Sequence, residues 1–274
     1  AGRAAVDEVS PLLVVSVRWF FVSVILTFIC RKELIETWKI LKKRLKWLII
    51  MGLFGFTSFN SFYYIAAHDT IAINLGLVQG TMPAFIIIIA RVWLKEQINL
   101  PQLFGVLITF VAVLLVVSSG DFYALLNLQL NKGDIVMIFA CTLYAVYAVG
   151  LRKKPKIGAL SLLTFFAYVA FLGSIPGLFY EIQSNNLILP GLEGVIILSI
   201  IIIFPSFLAQ IFFMKGVEKI GPARSGLYTN LVPVFSSFLA VILLGELFKL
   251  YHFISLVLIF IGIYMFEKKR NKYN

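Results

Sequence analysis

Sliding the chain against itself by 150 positions lays Gly76-Leu77 on Gly226-Leu227, Pro83 on Pro233, Leu94 on Leu244 and Glu96 on Glu246. Each half therefore carries a Gly-Leu pair, a proline seven residues past the glycine, an apolar run and a closing Leu-x-Glu, with no gap between them. A repeat of this length in so apolar a chain restricts the fold to two related halves. It points to a carrier with its substrate between the halves.

Composition decides the solvent. Of 274 residues 61% are hydrophobic and 14% charged, with mean hydropathy +0.97, whereas soluble domains are about a quarter charged. The net charge of +11 does not indicate nucleic acid, because the charges sit in short breaks between apolar runs and not on one water-facing surface. Cys30 and Cys141 are far apart inside apolar segments, so no disulfide framework is expected. His68 and His252 stand alone, and neither a metal nor a cofactor is expected.

A window of about 20 residues finds nine apolar runs, near 11–30, 47–67, 71–93, 103–120, 133–151, 159–180, 192–214, 222–244 and 251–266. The breaks include the Lys-rich segment 31–46, Asn99-Leu100-Pro101 and Gly221-Pro222. The repeat implies a tenth span. The helix that opens the second half, from Gly133-Asp134 to Leu151-Arg152, should have a mate ahead of residue 1, and only its tail, Ala1-Gly2-Arg3-Ala4-Ala5, is present. The expected fold is an all-α integral membrane protein, a ten-helix bundle of two five-helix repeats, 1–120 and 133–268, with the first helix largely missing. A nine-span chain with an outer N-terminus is the alternative.

With segment 31–46 in the cytoplasm and the sides alternating, the cytoplasmic breaks and tail hold 20 of the 24 Lys and Arg. That bias orients the chain, with its C-terminus in the cytoplasm. An odd number of spans per half makes the halves insert upside down relative to each other, a route to alternating access.

The stretch Val217-Glu218-Lys219-Ile220-Gly221-Pro222-Ala223-Arg224-Ser225-Gly226, then Asn230-Leu231-Val232-Pro233-Val234 and Leu244-Gly245-Glu246, closely resembles the EamA-type branch of the drug/metabolite transporter superfamily. The first-half counterpart, through Pro83 and Leu94-Lys95-Glu96 to Gly105, is similar, as is Ser10-Pro11 with Arg18 seven residues on. The resemblance covers essentially the whole chain. It implies ten helices, an inverted repeat and transport of small metabolites, often export across a bacterial inner membrane. It departs at the truncated first helix and at Lys95, where the family commonly has glycine.

Polar groups at membrane depth usually face a cavity or the protein interior. Asn60 and Gln210 coincide under the repeat and are candidate substrate ligands, with helix ties as the competing reading. Gln79 and Asn230, just ahead of the span prolines, are further candidates, as are Tyr63, Tyr144 and Tyr147, whose rings could stack on a flat or cationic solute. Gly76, Gly80 and Gly226 read as packing residues. Pro83 and Pro233 are candidate hinges, since a proline frees a carbonyl one turn earlier, and Glu96 and Glu246 are candidate gates at helix ends. Arg3 is a candidate for a substrate carboxylate. Arg18 is expected to snorkel outward or to pair with Asp7 or Glu8.

No acid is expected at mid-membrane and no Gly-x-x-x-x-Gly-Lys motif occurs, which favours facilitated diffusion or exchange. The expected function is a carrier of a small polar metabolite, an amino acid or related compound, in the lipid bilayer; a homodimer is compatible with it. The rival within the fold is a nucleotide-sugar or other organic-anion exchanger, whose dianionic substrate would need more cavity cations than Arg3 and Arg18. An enzyme would need a catalytic constellation, and no His pair, Cys–His pair or acidic dyad is visible.

Overall fold

In lipid every backbone polar group must be satisfied within the protein, so apolar runs of this length become helices. The computed structural model describes residues 9–127, 129, 131–235, 239 and 247–268, and its regular elements are all helical. Eight helical stretches among these residues are long and apolar enough to cross a membrane. The expected span near 222–244 falls only partly within them.

The first helix, α1, runs Pro11–Lys43. The second span joins α2 (Leu45–Gly52), a π-helical turn over Leu53–Ser58 and α3 (Phe59–Asp69). The next holds α4 (Ala72–Gly80) and α5 (Met82–Trp93), with a break at Thr81. After α6 (Leu100–Val117) and the short α7 (Phe122–Leu126) come α8 (Lys132–Gly150) and α9 (Ala159–Gln183). α10 (Leu192–Ile201), a second π-helical stretch over Ile202–Leu208 and α11 (Ala209–Ile220) form one span, followed by α12 (Pro222–Tyr228) and α13 (Leu250–Glu267).

The segment 31–46 is not a simple break. α1 continues through it, with one kink at Cys30 (φ −111°, ψ 21°), and ends at Arg44. Residues 31–43 lack Gly and Pro and are rich in Lys, Glu and Leu, which favour helix. Burial of Leu41 holds the extension against the bundle while its lysines stay in solvent.

Two long contacts organise the bundle, and each joins helices that the 150-residue shift relates. α1 lies antiparallel to α9. Ser16 Oγ donates to Ser174 Oγ (2.8 Å), and Thr27 bonds Tyr168 (2.7 Å). Glu181 accepts from the Leu12 and Leu13 N–H groups at 2.8 and 3.0 Å. α6 lies antiparallel to α13 on facing glycines: a Cβ at Gly105 would stand 2.5 Å from Gly262 O, so only glycine lets these backbones meet. Gly76 and Gly80 of α4 pack on Val117 and Val113, and Gly226 packs on Ile86. The main core lies where α1, α8, α9 and the second span meet, around Trp19, Phe56, Tyr147 and Phe166.

Lys95 follows α5 in the left-handed region, φ 57°. Glycine adopts that conformation without a Cβ penalty, which is the physical reason a glycine suits this place in the motif.

Candidate functional site

Pro205 lies inside the second π-helical stretch. It has no N–H, so the α-helical donor to Ile201 O is missing and the π turn serves that carbonyl from the N–H five residues on. The neighbouring side chain supplies another, Ser206 Oγ donating to Ile201 O at 2.7 Å. In the first half Asn60 Nδ2 donates to Phe56 O at the end of the other π turn. The two wide turns, Leu53–Ser58 and Ile202–Leu208, coincide under the 150-residue shift, which also lays Ser206 on Phe56 and Gln210 on Asn60. Single π turns inside α-helices recur at functional sites.

Arg18 joins the two turns. Its Nε donates to Ser206 Oγ (2.9 Å) and its Nη1 to Asn60 Oδ1 (2.9 Å) and Tyr64 OH (3.3 Å). The guanidinium lies over the Trp19 ring at 5.0 Å. Arg18 is 5% exposed and forms no ion pair with any described residue. Arg18 thus lies inward and not at the outer surface, held among the described residues by neutral oxygens. The reason is rotational: Arg18 shares the buried face of α1 with Val14, Val15, Trp19 and Val22. Asp7 and Glu8 lie outside the described residues.

Aromatic rings wall the site. Tyr63 meets Tyr64 edge-on at 5.3 Å, Phe59 meets Tyr144 at 4.8 Å, and Tyr144 meets Phe213 at 5.5 Å. Tyr144 and Gln210 line a groove of about 420 Å³ together with Phe213, Ser225 and Tyr228. Gln210 Oε1 is buried there with no hydrogen-bond partner. Asn60, Tyr63, Tyr144 and Gln210 therefore belong to one neighbourhood, on the second span, α8 and α11.

Other candidates lie elsewhere. Tyr147 is fully buried, its ring packed among Phe56, Tyr144 and Phe166 and over Gly55, so it is a core residue. Asn230, in the turn after α12, donates to Thr109 Oγ1 (3.1 Å) and is a buried tie to α6. Gln79 is half-buried on α4, its backbone O accepting from the Thr81 N–H at the helix end. Pro83 sits in the first turn of α5 beside the break at Thr81, where its missing N–H costs little. Pro233 is half-buried in the helical stretch 231–235. Glu96 is half-buried, with Arg91 donating to its backbone O at 3.2 Å. Arg3 and Glu246 lie outside the described residues.

The residues that reasoning from sequence passed over are Ser206, Tyr64 and the inward Arg18. The available signal was Pro205-Ser206 inside an apolar run, where proline breaks the α-helical ladder and a hydroxyl can bond the carbonyl beside it.

The two fully engaged buried acids serve the scaffold. Asp134, with no exposure, accepts from Thr70 Oγ1 (2.6 Å), Asn74 Nδ2 (2.8 Å) and Asn131 N (2.9 Å), closing the start of α8 on the α3–α4 junction. Glu181 satisfies the first N–H groups of α1, where helix dipole and orphan donors favour an anion. No cluster of three or more His, Cys, Asp or Glu able to hold a metal occurs among the described residues.

Comparison with known proteins agrees with this architecture. The profile described as the EamA-like transporter family matches residues 1–118 and 131–267. The uncharacterized transporter YyaM of Bacillus subtilis (strain 168) is 26% identical over 81% of this chain and 73% of its own length. The uncharacterized transporter YetK of the same organism is 24% identical over 99% and 82%. An uncharacterized transporter of Archaeoglobus fulgidus is 25% identical over 98% and 93%. A solved crystal structure superposes with a TM-score of 0.76 at 16% identity, over 96% of this chain and 89% of the other.

Proposed function

The chain belongs to the EamA-like transporter family, and from that membership we infer that this membrane transporter carries a small polar metabolite, an amino acid or related compound, by alternating access. The observation that carries the reading is the Arg18–Asn60–Tyr64–Ser206 cluster, a buried polar site between the two related spans. A side chain this costly to bury in a membrane bundle points to a functional site. Antiparallel contact of α1 with α9 and of α6 with α13 supports two inverted five-helix repeats, 1–120 and 133–268. In that arrangement the matched π turns lie at equivalent places in oppositely oriented spans, beside the site around which one repeat would rock on the other.

The lysine bias supports a C-terminus in the cytoplasm, and the family resemblance favours export across a bacterial inner membrane. No described acid faces Arg18, and Asp134 and Glu181 are committed to helix ends. That supports facilitated diffusion or exchange over proton coupling. A single cluster cation also favours a small metabolite over a dianionic nucleotide sugar.

Transport by purified protein in proteoliposomes tests the site. Asn60→Ala and Gln210→Ala should each lower the rate, Asn60→Ala by about tenfold, because a bond to a charged group is worth about 1.5–3 kcal/mol. Normal rates in both variants would move the site elsewhere.

A further inference from the structure

We propose that Arg18 is the receptor for a substrate carboxylate, so that the solute carried is a singly charged organic acid or carries one such group beside a flat apolar body. This rests on the carrier reading above and gives its site a chemistry.

The first ground is charge. Buried cations are normally paired, because desolvating an isolated charge is expensive. Arg18 is 5% exposed, yet the ion pairs among the described residues are His68–Asp69, Lys154–Glu218 and Arg224–Glu267, all elsewhere. One anion would neutralise the site. A dianion would leave a net negative charge in the same interior.

The second ground is the count of donors. A guanidinium has five N–H groups and accepts nothing. Nε serves Ser206 and Nη1 serves Asn60 and Tyr64. The two N–H groups of Nη2 have no hydrogen-bond partner among the described residues. The contact to Tyr64 is the longest of the three, at 3.3 Å, and is the one a ligand oxygen most readily replaces. A carboxylate on the Nη1–Nη2 edge would then bind with two parallel N–H···O bonds, the geometry in which arginine is strongest. The adjacent Trp19 adds a further donor, since its Nε1 is buried with no partner. A surplus of donors around a buried cation selects an anion.

The third ground is the wall. Trp19, Tyr63 and Tyr64 present rings to the cluster, and rings favour a planar apolar body over a bulky polar one.

Trp19 provides the readout. In the full chain with Trp38, Trp47 and Trp93 replaced by Phe, its fluorescence is titrated at pH 7.5 with acetate, pyruvate, benzoate and phenylacetate. Acetamide, benzamide, phenylacetamide, succinate and inorganic phosphate are titrated in parallel. At least one monocarboxylate should give a saturable change, with its amide at least tenfold weaker and both dianions weaker than the best monocarboxylate. Arg18→Gln should lower the affinity at least tenfold, and Arg18→Lys should keep part of it. Equal response to acid and amide, tighter binding of the dianions, or no response to any monocarboxylate overturns the proposal, and the acid–amide comparison needs no variant to fold. Flux in proteoliposomes separates the two readings. Saturable binding with no flux of the bound acid removes the carrier reading and leaves the receptor. Undiminished flux of a neutral solute through Arg18→Gln removes the receptor and leaves the carrier.

Discussion

Ser206→Ala is the sharpest probe of how the second π turn is held. The hydroxyl donates to Ile201 O and accepts from Arg18 Nε. With Ser206 fully buried, no water replaces either bond. An unpartnered buried group costs about 1–3 kcal/mol, whereas hydrogen bonds between helices in lipid average about 0.6 and reach about 1.7 kcal/mol. Taking about 1 kcal/mol for the lost hydroxyl–carbonyl bond and the middle of the range for the interhelical bond gives a loss of about 2 kcal/mol. That is a shift of roughly thirtyfold in the unfolding equilibrium. Reversible unfolding in mixed micelles with sodium dodecyl sulfate measures it. The decisive control is Ser206→Ala in an Arg18→Met background. There the Arg18 bond is already lost, so the substitution should cost only about 1 kcal/mol. A Ser206→Ala variant as stable as the parent, or one equally costly in the Arg18→Met background, would refute this account of the turn.

Three other outcomes are expected. In a variant lacking Cys30 and Cys141, single cysteines at Lys42 and Lys153 should resist an impermeant thiol reagent applied to intact cells and one at Lys249 should react; the reverse pattern would invert the orientation. Gly105→Val should push α6 off α13, because a Cβ there already stands 2.5 Å from Gly262 O. The cost should be about 1–3 kcal/mol, read as a fall in Tm, and an unchanged Tm would mean that the pair does not pack on its glycines. If the span prolines are paired hinges, Pro83→Ala and Pro233→Ala should bias the carrier toward opposite faces. Distances between spin labels at the helix ends would show this, and shifts of the same sign would end the symmetric-hinge idea.

The spans, the repeat and the membrane setting were legible in the residues because lipid removes alternatives: a run of about 20 apolar residues in a bilayer has the helix as its outlet. The glycine signals were local as well, since Gly76 and Gly80 recur on one face and pack on one neighbour, α6. The Lys-rich segment was misread because hydropathy reports where lipid ends and not where a helix does. α1 runs thirteen residues past Cys30 on helix propensity and one buried edge. Only the tertiary structure decided the polar partners. Asn60 and Ser206 lie 42 and 188 residues from Arg18, and Thr109 lies 121 from Asn230. Each residue turns a helix by about 100°, so which side chain meets which across two helices depends on how each is rotated about its axis. That rotation comes from packing: the glycine contact between α6 and α13, the hydrogen bonds joining α1 to α9, and two π turns that shift the register of every side chain after them. The same tyrosine spacing on α8 thus put Tyr144 on a groove and Tyr147 in the core, and Arg18, expected to snorkel outward or pair with an acid, lies inward on Asn60, Tyr64 and Ser206.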